Sequence, residues 1–299
     1  MYINNSDHKL VVSENGNANI ENYVYCCNTL NISLQRFGCN LTVLSNKPEE
    51  ILKYDLKINV EKIDFNLSVP NDIRFYSAHF KIDVFKYLAK NTNNYSILLD
   101  NDIICINDIS ENFLRIIAQG FPVYYDITDQ VYPAYGREKI IYDKSLIMAD
   151  NSIGNWAGGE FLGGRKKFWN ELYNECVNLW DNYQRNYKNL HHQGDEMLLS
   201  CAIERYSKIN CVINIGTIGG ISRFWSVKTL HIGKPIEALY DNFLLHLPAD
   251  KEFLSQYNFF DNNRFIMDYG HYLKNKNDRR FYKRLYNKMK KILKKLLKR

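Results

Sequence analysis

Apolar and polar positions follow two rhythms along the first 130 residues, and the rhythms alternate. Short β-rich runs read as strands: "KLVVSEN" (9–15), "NLTVLSN" (40–46), "YSILLDND" (95–102) and "GFPVYYDI" (120–127). Helical spacing fills the intervals. One such stretch is "NIENYVYCCNTLNISLQRFG" (19–38), with Gly38 placed to end it. Another is 75–91, where Phe75, Ala78, Ile82, Phe85, Leu88 and Ala89 recur at helical steps. Strand, helix, strand at the start predict a right-handed βαβ unit. Residues 158–180 then read as a strand, a Gly pair and a long helix, and 194–206 as a short helix behind Gly194. The alternation predicts an α/β fold: an open, mainly parallel sheet flanked by helices, with ligands collecting at the carboxyl ends of strands.

The pattern changes at the end of the chain. Phe281, Leu285, Met289, Ile292 and Leu296 recur at steps of three and four, and residues 279–299 hold eleven Lys or Arg and no acid. That is a basic amphipathic helix, suited to an anionic membrane surface. The net charge of +6 therefore hides a mildly acidic body. An acidic body without a nucleic-acid motif argues against nucleic acid as the partner. The division expected is a catalytic domain at 1–250 and a helical extension at 251–299.

Composition narrows the class. A 299-residue chain with 45% hydrophobic residues has ample core. Seven Cys, an odd number, include no C-x-x-C pair, which argues against zinc and disulfide frameworks and fits a reducing compartment. The start, "MYINNSDHKL", has no apolar segment of the secretory kind, and no apolar run approaches the roughly 18 residues a spanning helix needs. A cytoplasmic protein, peripheral on the inner face of the membrane, is the expectation.

One short stretch carries the chemistry. In "SILLDNDIICI" (96–106), Asp100 and Asp102 stand at the end of an apolar run, with Ile103, Ile104, Cys105 and Ile106 behind them. Two like charges in apolar surroundings are unfavourable unless a cation lies between them. Strand alternation would send both to one side. Oxygen ligands suit Mg2+ or Mn2+, and an added His favours Mn2+.

The segment "HFKIDVFKYLAKNTNNYSILLDNDIICINDIS" resembles the central part of family 8 glycosyltransferases, which have the GT-A fold. Lys81 stands where that family usually has Arg. Three blocks follow in the family's order. "WAGGEFLGGRKKF" (156–168) resembles its donor-sugar segment, "QGDEMLL" (193–199) its D-Q-D helix, and "LHIGKP" (230–235) a shortened H-x-x-G-x-x-K-P. The resemblance implies a nucleotide-sugar-dependent enzyme with Mn2+ (or Mg2+) held by Asp100, Asp102 and His231, His246 being the rival third ligand. It implies donor contacts from Ser13, Asn15, Lys81, Asp100, Gly158, Gly159, Gly233 and Lys234, and catalytic carboxylates at Asp195 and Glu196. The donor expected is a UDP-hexose and the implied stereochemistry retaining; the acceptor, a glycan or lipid-linked glycan, does not follow from the resemblance and is expected from the basic membrane-associating segment 279–299. The departures are specific: Trp156 replaces an Asn, Glu196 a Gln and Met197 an Asp.

Plainer readings stand beside these. Asp195 and Glu196 are also what a helix N-terminus favours, His231 suits a core position, and the Gly pairs suit tight turns. An inverting enzyme would need a base among the same carboxylates. A nucleotidyltransferase would need a basic phosphate loop after the first strand, and "SENGNAN" has no Lys or Arg. A non-enzyme would be a basic membrane- or nucleic-acid-binding protein with a structural D-x-D.

Overall fold

The computed structural model describes residues 1, 20–257 and 261–296. The expected strand at 9–15 lies outside them, as do Ser13 and Asn15. Two compact units are present, Met1–Asn258 and Phe259–Arg299.

The first unit opens with α1 (Ile20–Gln35), then β1 (Thr42–Ser45), α2 (Pro48–Leu52) and β2 (Asn59–Lys62). A 3-10 turn at Tyr76–Phe80 leads into α3 (Lys81–Asn91), followed by β3 (Ser96–Leu99), β4 (Ile103–Cys105), α4 (Glu111–Gln119) and β5 (Val123–Asp126). Next come α5 (Thr128–Tyr135), α6 (Arg137–Met148), β6 (Ala157–Gly164), α7 (Lys166–Asn186) and α8 (Asp195–Ser207). Short strands β7 (Ile213–Asn214), β8 (Ile221–Arg223) and β9 (Leu244–His246) precede α9 (Lys251–Gln256). The second unit contains α10 (Asn262–Leu296).

The strands form a parallel β1–β2 pair, a four-stranded sheet in the order β3-β6-β5-β7 and a three-stranded sheet in the order β4-β9-β8. Pairing is mixed: β5–β7 and β8–β9 are parallel, while β3–β6, β5–β6 and β4–β9 are antiparallel. The α/β class is as the alternation predicts.

The core follows from periodicity. On α7, Phe168, Trp169, Leu172, Cys176, Leu179, Trp180 and Tyr183 recur at three- and four-residue steps and are all buried. This face packs on α3 and α8. Strand β6 is buried at all eight residues, as expected of a central strand covered on both faces.

One expectation changes. The run 95–102 is not a single strand. Strand β3 ends at Leu99, the chain turns through 100–102, and β4 begins at Ile103 in the other sheet. Asp100 and Asp102 thus bracket a turn between two sheets, rather than sharing one face of a strand.

Among the described residues, no helix is long and apolar enough to cross a membrane.

Candidate active site

The turn between the sheets is where the charged side chains converge. Asp100 leaves β3 and its N–H donates to the carbonyl of Glu160 on the adjacent β6, at 3.1 Å. Lys81, the first residue of α3, reaches the same place. Its Nζ lies 2.9 Å from Asp100 Oδ1 and 2.8 Å from Asp195 Oδ2, and donates to Gly159 O at 2.8 Å. Burial works against the ammonium, but Asp100 and Asp195 outweigh it and raise the Lys81 pKa, so the side chain stays charged. Four residues singled out from the sequence therefore meet at one nitrogen.

The glycines of β6 are set by this convergence. A Cβ on Gly159 would lie 2.6 Å from Asp195 Oδ2 and 3.1 Å from Lys81 Nζ. One on Gly158 would lie 2.2 Å from Glu160 Oε2. Neither φ is in the left-handed region, so the need is close approach of side chains to backbone, and the tight-turn reading fails.

Asp102 belongs to a second group. It is buried, and its Oδ1 lies 3.0 Å from His246 Nε2, while Lys251 Nζ donates to its Oδ2. Burial alone would raise the Asp102 carboxyl. The charges of Lys251 and His246 outweigh it and hold the group well below the usual carboxylate range. His246 Nδ1 faces Glu160 Oε1 at 3.1 Å. Burial lowers the His246 pKa, but Asp102 and Glu160 raise it further, to about 9.

Glu160 extends the chain of charges. Arg223 grips it through Nε, 2.6 Å from Oε1, and through Nη2, 2.5 Å from Oε2, and the same Nη2 lies 2.5 Å from Glu196 Oε1. Trp156 Nε1 donates to the other oxygen of Glu196 at 3.0 Å. Burial pushes the Glu196 carboxyl up, and Arg223, first among its partners, pulls it down to about 2. Glu196 is a carboxylate at any working pH, available as a charge or hydrogen-bond acceptor and not as an acid.

Asp100, Asp102 and His246 each place a ligand atom within 4.8 Å of the others. Two carboxylates and an imidazole suit Mg2+ or Mn2+. The surroundings fit as well. Glu160 holds His246 Nδ1, which turns Nε2 toward Asp102, and a carboxylate behind the imidazole is the usual orientation of a metal-ligating histidine.

His231 is not in this group. The register of β4 against β9 sets His246 opposite Ile103, next to Asp102. His231 lies on a loop tied to α5, where Ile232 N donates to Gln130 O, and its ring meets Tyr135 edge-on at 6.0 Å. Gly233 and Lys234 are exposed on the same loop, and nothing lies within 4 Å of where a Gly233 Cβ would be. Of the two histidines that the sequence offered as third ligand, strand pairing carries His246 and not His231 to the turn.

The sequence reading missed Glu160, Arg223 and Lys251. Two of them left a signal. Glu160 is the only charge in "AGGEFLGG", and Arg223 ends the buried run "ISR". A charge inside a buried strand needs a partner.

Among solved structures, the chain is similar to the galactosyltransferase LgtC in complex with donor and acceptor sugar analogs. That likeness has a TM-score of 0.48 and 12% identity, covering 79% of this chain and 90% of the other. It is similar also to an active-site mutant of LgtC, at TM-score 0.48 and 12% identity, over 76% and 83% of the two chains. No family model matches the sequence, and no curated protein matches it.

Proposed function

We propose that the protein is a metal-dependent glycosyltransferase of the GT-A type, moving a hexose from a UDP-sugar to a glycan acceptor. The observation that carries this reading is the meeting of Asp100, Asp102 and His246 at the turn between two sheets, with Glu160 behind the imidazole. The order of the sequence blocks around Lys81, Gly158 and Asp195 supports it.

The residues divide the work as follows. Asp100, Asp102 and His246 would hold the divalent ion, which when bound stabilises negative charge on a departing diphosphate. His246 must release its Nε2 proton to ligate, while Glu160 keeps Nδ1–H in place. Lys81 holds Asp100 and Asp195 at a set separation. Asp195 and Glu196 present carboxylates to the sugar, whose anomeric carbon becomes positively charged as its bond to the leaving oxygen breaks. Glu196, fixed by Arg223 and Trp156, supplies charge without proton transfer. Retention of anomeric configuration is the stereochemistry proposed.

The acceptor proposed is a lipid-linked or lipid-anchored glycan in cell-surface polysaccharide or lipooligosaccharide synthesis. The basic segment 279–299 would hold the enzyme on the inner face of the membrane. Phe281 and Met289 on α10 are more than half exposed, as a membrane-facing stripe requires. The side chains of Leu285, Ile292 and Leu296 lie outside the described residues.

The test is thermal stability with UDP, GDP, CMP and ADP, each with and without Mn2+. Ligands that bind the folded state raise the melting temperature by mass action. A shift with UDP that requires Mn2+ is the expected result. No shift with any nucleotide would overturn the reading and favour a non-enzymatic role for the basic segment.

A further inference from the structure

A second polar cluster lies beyond Glu196, on the far side of Trp156, and the scheme above does not use it. Its centre is His191. Asp143 is fully buried and receives the His191 backbone N–H at 2.8 Å and its Nδ1 at 2.6 Å, while Lys139 donates to the other carboxylate oxygen at 2.7 Å. The imidazole is thus fixed in orientation through Nδ1, and in the neutral tautomer with its proton on Nδ1 the Nε2 atom is a hydrogen-bond acceptor. The side chain is 5% exposed. Among the described residues Nε2 has no hydrogen-bond partner, and neither has His231 Nδ1.

The surroundings say what kind of partner these nitrogens want. The Tyr135 ring lies 4.5 Å from that of His191 and 6.0 Å from that of His231. The buried Trp156 ring lies 5.2 Å from His191 and links it to Glu196 through the Nε1 hydrogen bond. Glu196 is within electrostatic reach of Tyr135 and His231. An aromatic face, two imidazole nitrogens and a carboxylate together match a polyhydroxylated ring, whose C–H faces pack on aromatics and whose hydroxyls need acceptors.

We propose that His191 Nε2 accepts a hydrogen bond from a sugar hydroxyl, in a subsite completed by Tyr135, His231 and Glu196. The inference deepens the glycosyltransferase reading and rests on it. The hydroxyl can come from the transferred hexose or from the acceptor. Asp143 is a positioning residue: it touches no sugar and acts by fixing the ring.

The test uses the full chain labelled with 15N-histidine, with His191 assigned by comparison with His191→Gln. Methyl glycosides of glucose, galactose and N-acetylglucosamine are added first. UDP-glucose and UDP-galactose follow, then UDP alone, each with Mg2+. The His191 Nε2 resonance should move with a sugar-bearing ligand and stay in place with UDP. Movement with free glycosides identifies an acceptor subsite; movement only with UDP-hexoses identifies a donor-sugar subsite. His191→Phe keeps an aromatic ring in place but removes both nitrogens, including the one that meets Asp143, and should weaken that binding roughly tenfold, while His191→Gln retains most of it. An Nε2 signal unmoved by every sugar ligand, or undiminished binding in His191→Phe, overturns the proposal. If UDP binds and the sugars leave Nε2 untouched, this inference fails alone; if UDP does not bind, the donor reading fails.

Discussion

The Nζ of Lys81 lies 2.8 Å from Oδ2 of Asp195, which joins the first residue of α3 to the first residue of α8. The same nitrogen holds Asp100 at 2.9 Å. One ammonium is therefore shared by two carboxylates from distant parts of the chain. Lys81→Met should leave both without their cation, lowering stability by about 3 kcal/mol and abolishing turnover. Urea unfolding reads the first effect and sugar transfer the second. A variant as stable as the parent would show that the two carboxylates do not depend on Lys81.

The histidine assignment is tested by metal binding itself. Asp102→Asn and His246→Ala should each weaken Mn2+ binding by at least about tenfold in calorimetric titration, and His231→Ala should leave it unchanged. If His231→Ala alone weakens binding, the group at the turn is not the metal site.

Two glycines make a contrast that only packing explains. Gly159→Ala forces a methyl to within 2.6 Å of Asp195, and should cost about 1–3 kcal/mol and displace Lys81. Gly233→Ala meets open space and should change stability by less than about 0.5 kcal/mol. Melting temperatures of the two variants decide the matter, and equal effects would refute the packing argument.

Glu196 gives a pH dependence. Its carboxyl is held at about 2, against 4.5 for the ordinary group. A lowered pKa contributes stability that is present above the ordinary value and is lost as pH falls through the folded one. Stability should therefore decline from about pH 4.5 down to about 2, and Glu196→Gln should flatten part of that slope. Parallel slopes in parent and variant would mean that Arg223 and Trp156 do not hold this carboxylate.

The basic segment has its own test. Deleting 279–299 should release the protein from vesicles of anionic lipid, and raised salt should do the same to the parent. Unchanged sedimentation with vesicles after deletion would reject the membrane role.

Much of this was determined by the sequence alone, where the information is local. The period-2 and period-3.6 patterns marked α1, α3, α7, α8 and four of the nine described strands, β1, β3, β5 and β6, since each of these elements buries its own apolar face. The D-x-D pair was legible as charges placed where apolar surroundings make an unpaired charge unfavourable, whereas Lys81 and Asp195 were marked only by the resemblance of their blocks to a known family. The rest was decided by tertiary structure. Whether His231 or His246 meets Asp102 depends on the register of β4 against β9, a pairing between segments far apart in the chain that no local pattern encodes. The Glu160–Arg223–Glu196 chain likewise exists only because β6, β8 and the start of α8 converge. Periodicity says which face of an element is buried; long-range pairing says which buried groups meet, and the chemistry of this site lies in the meeting.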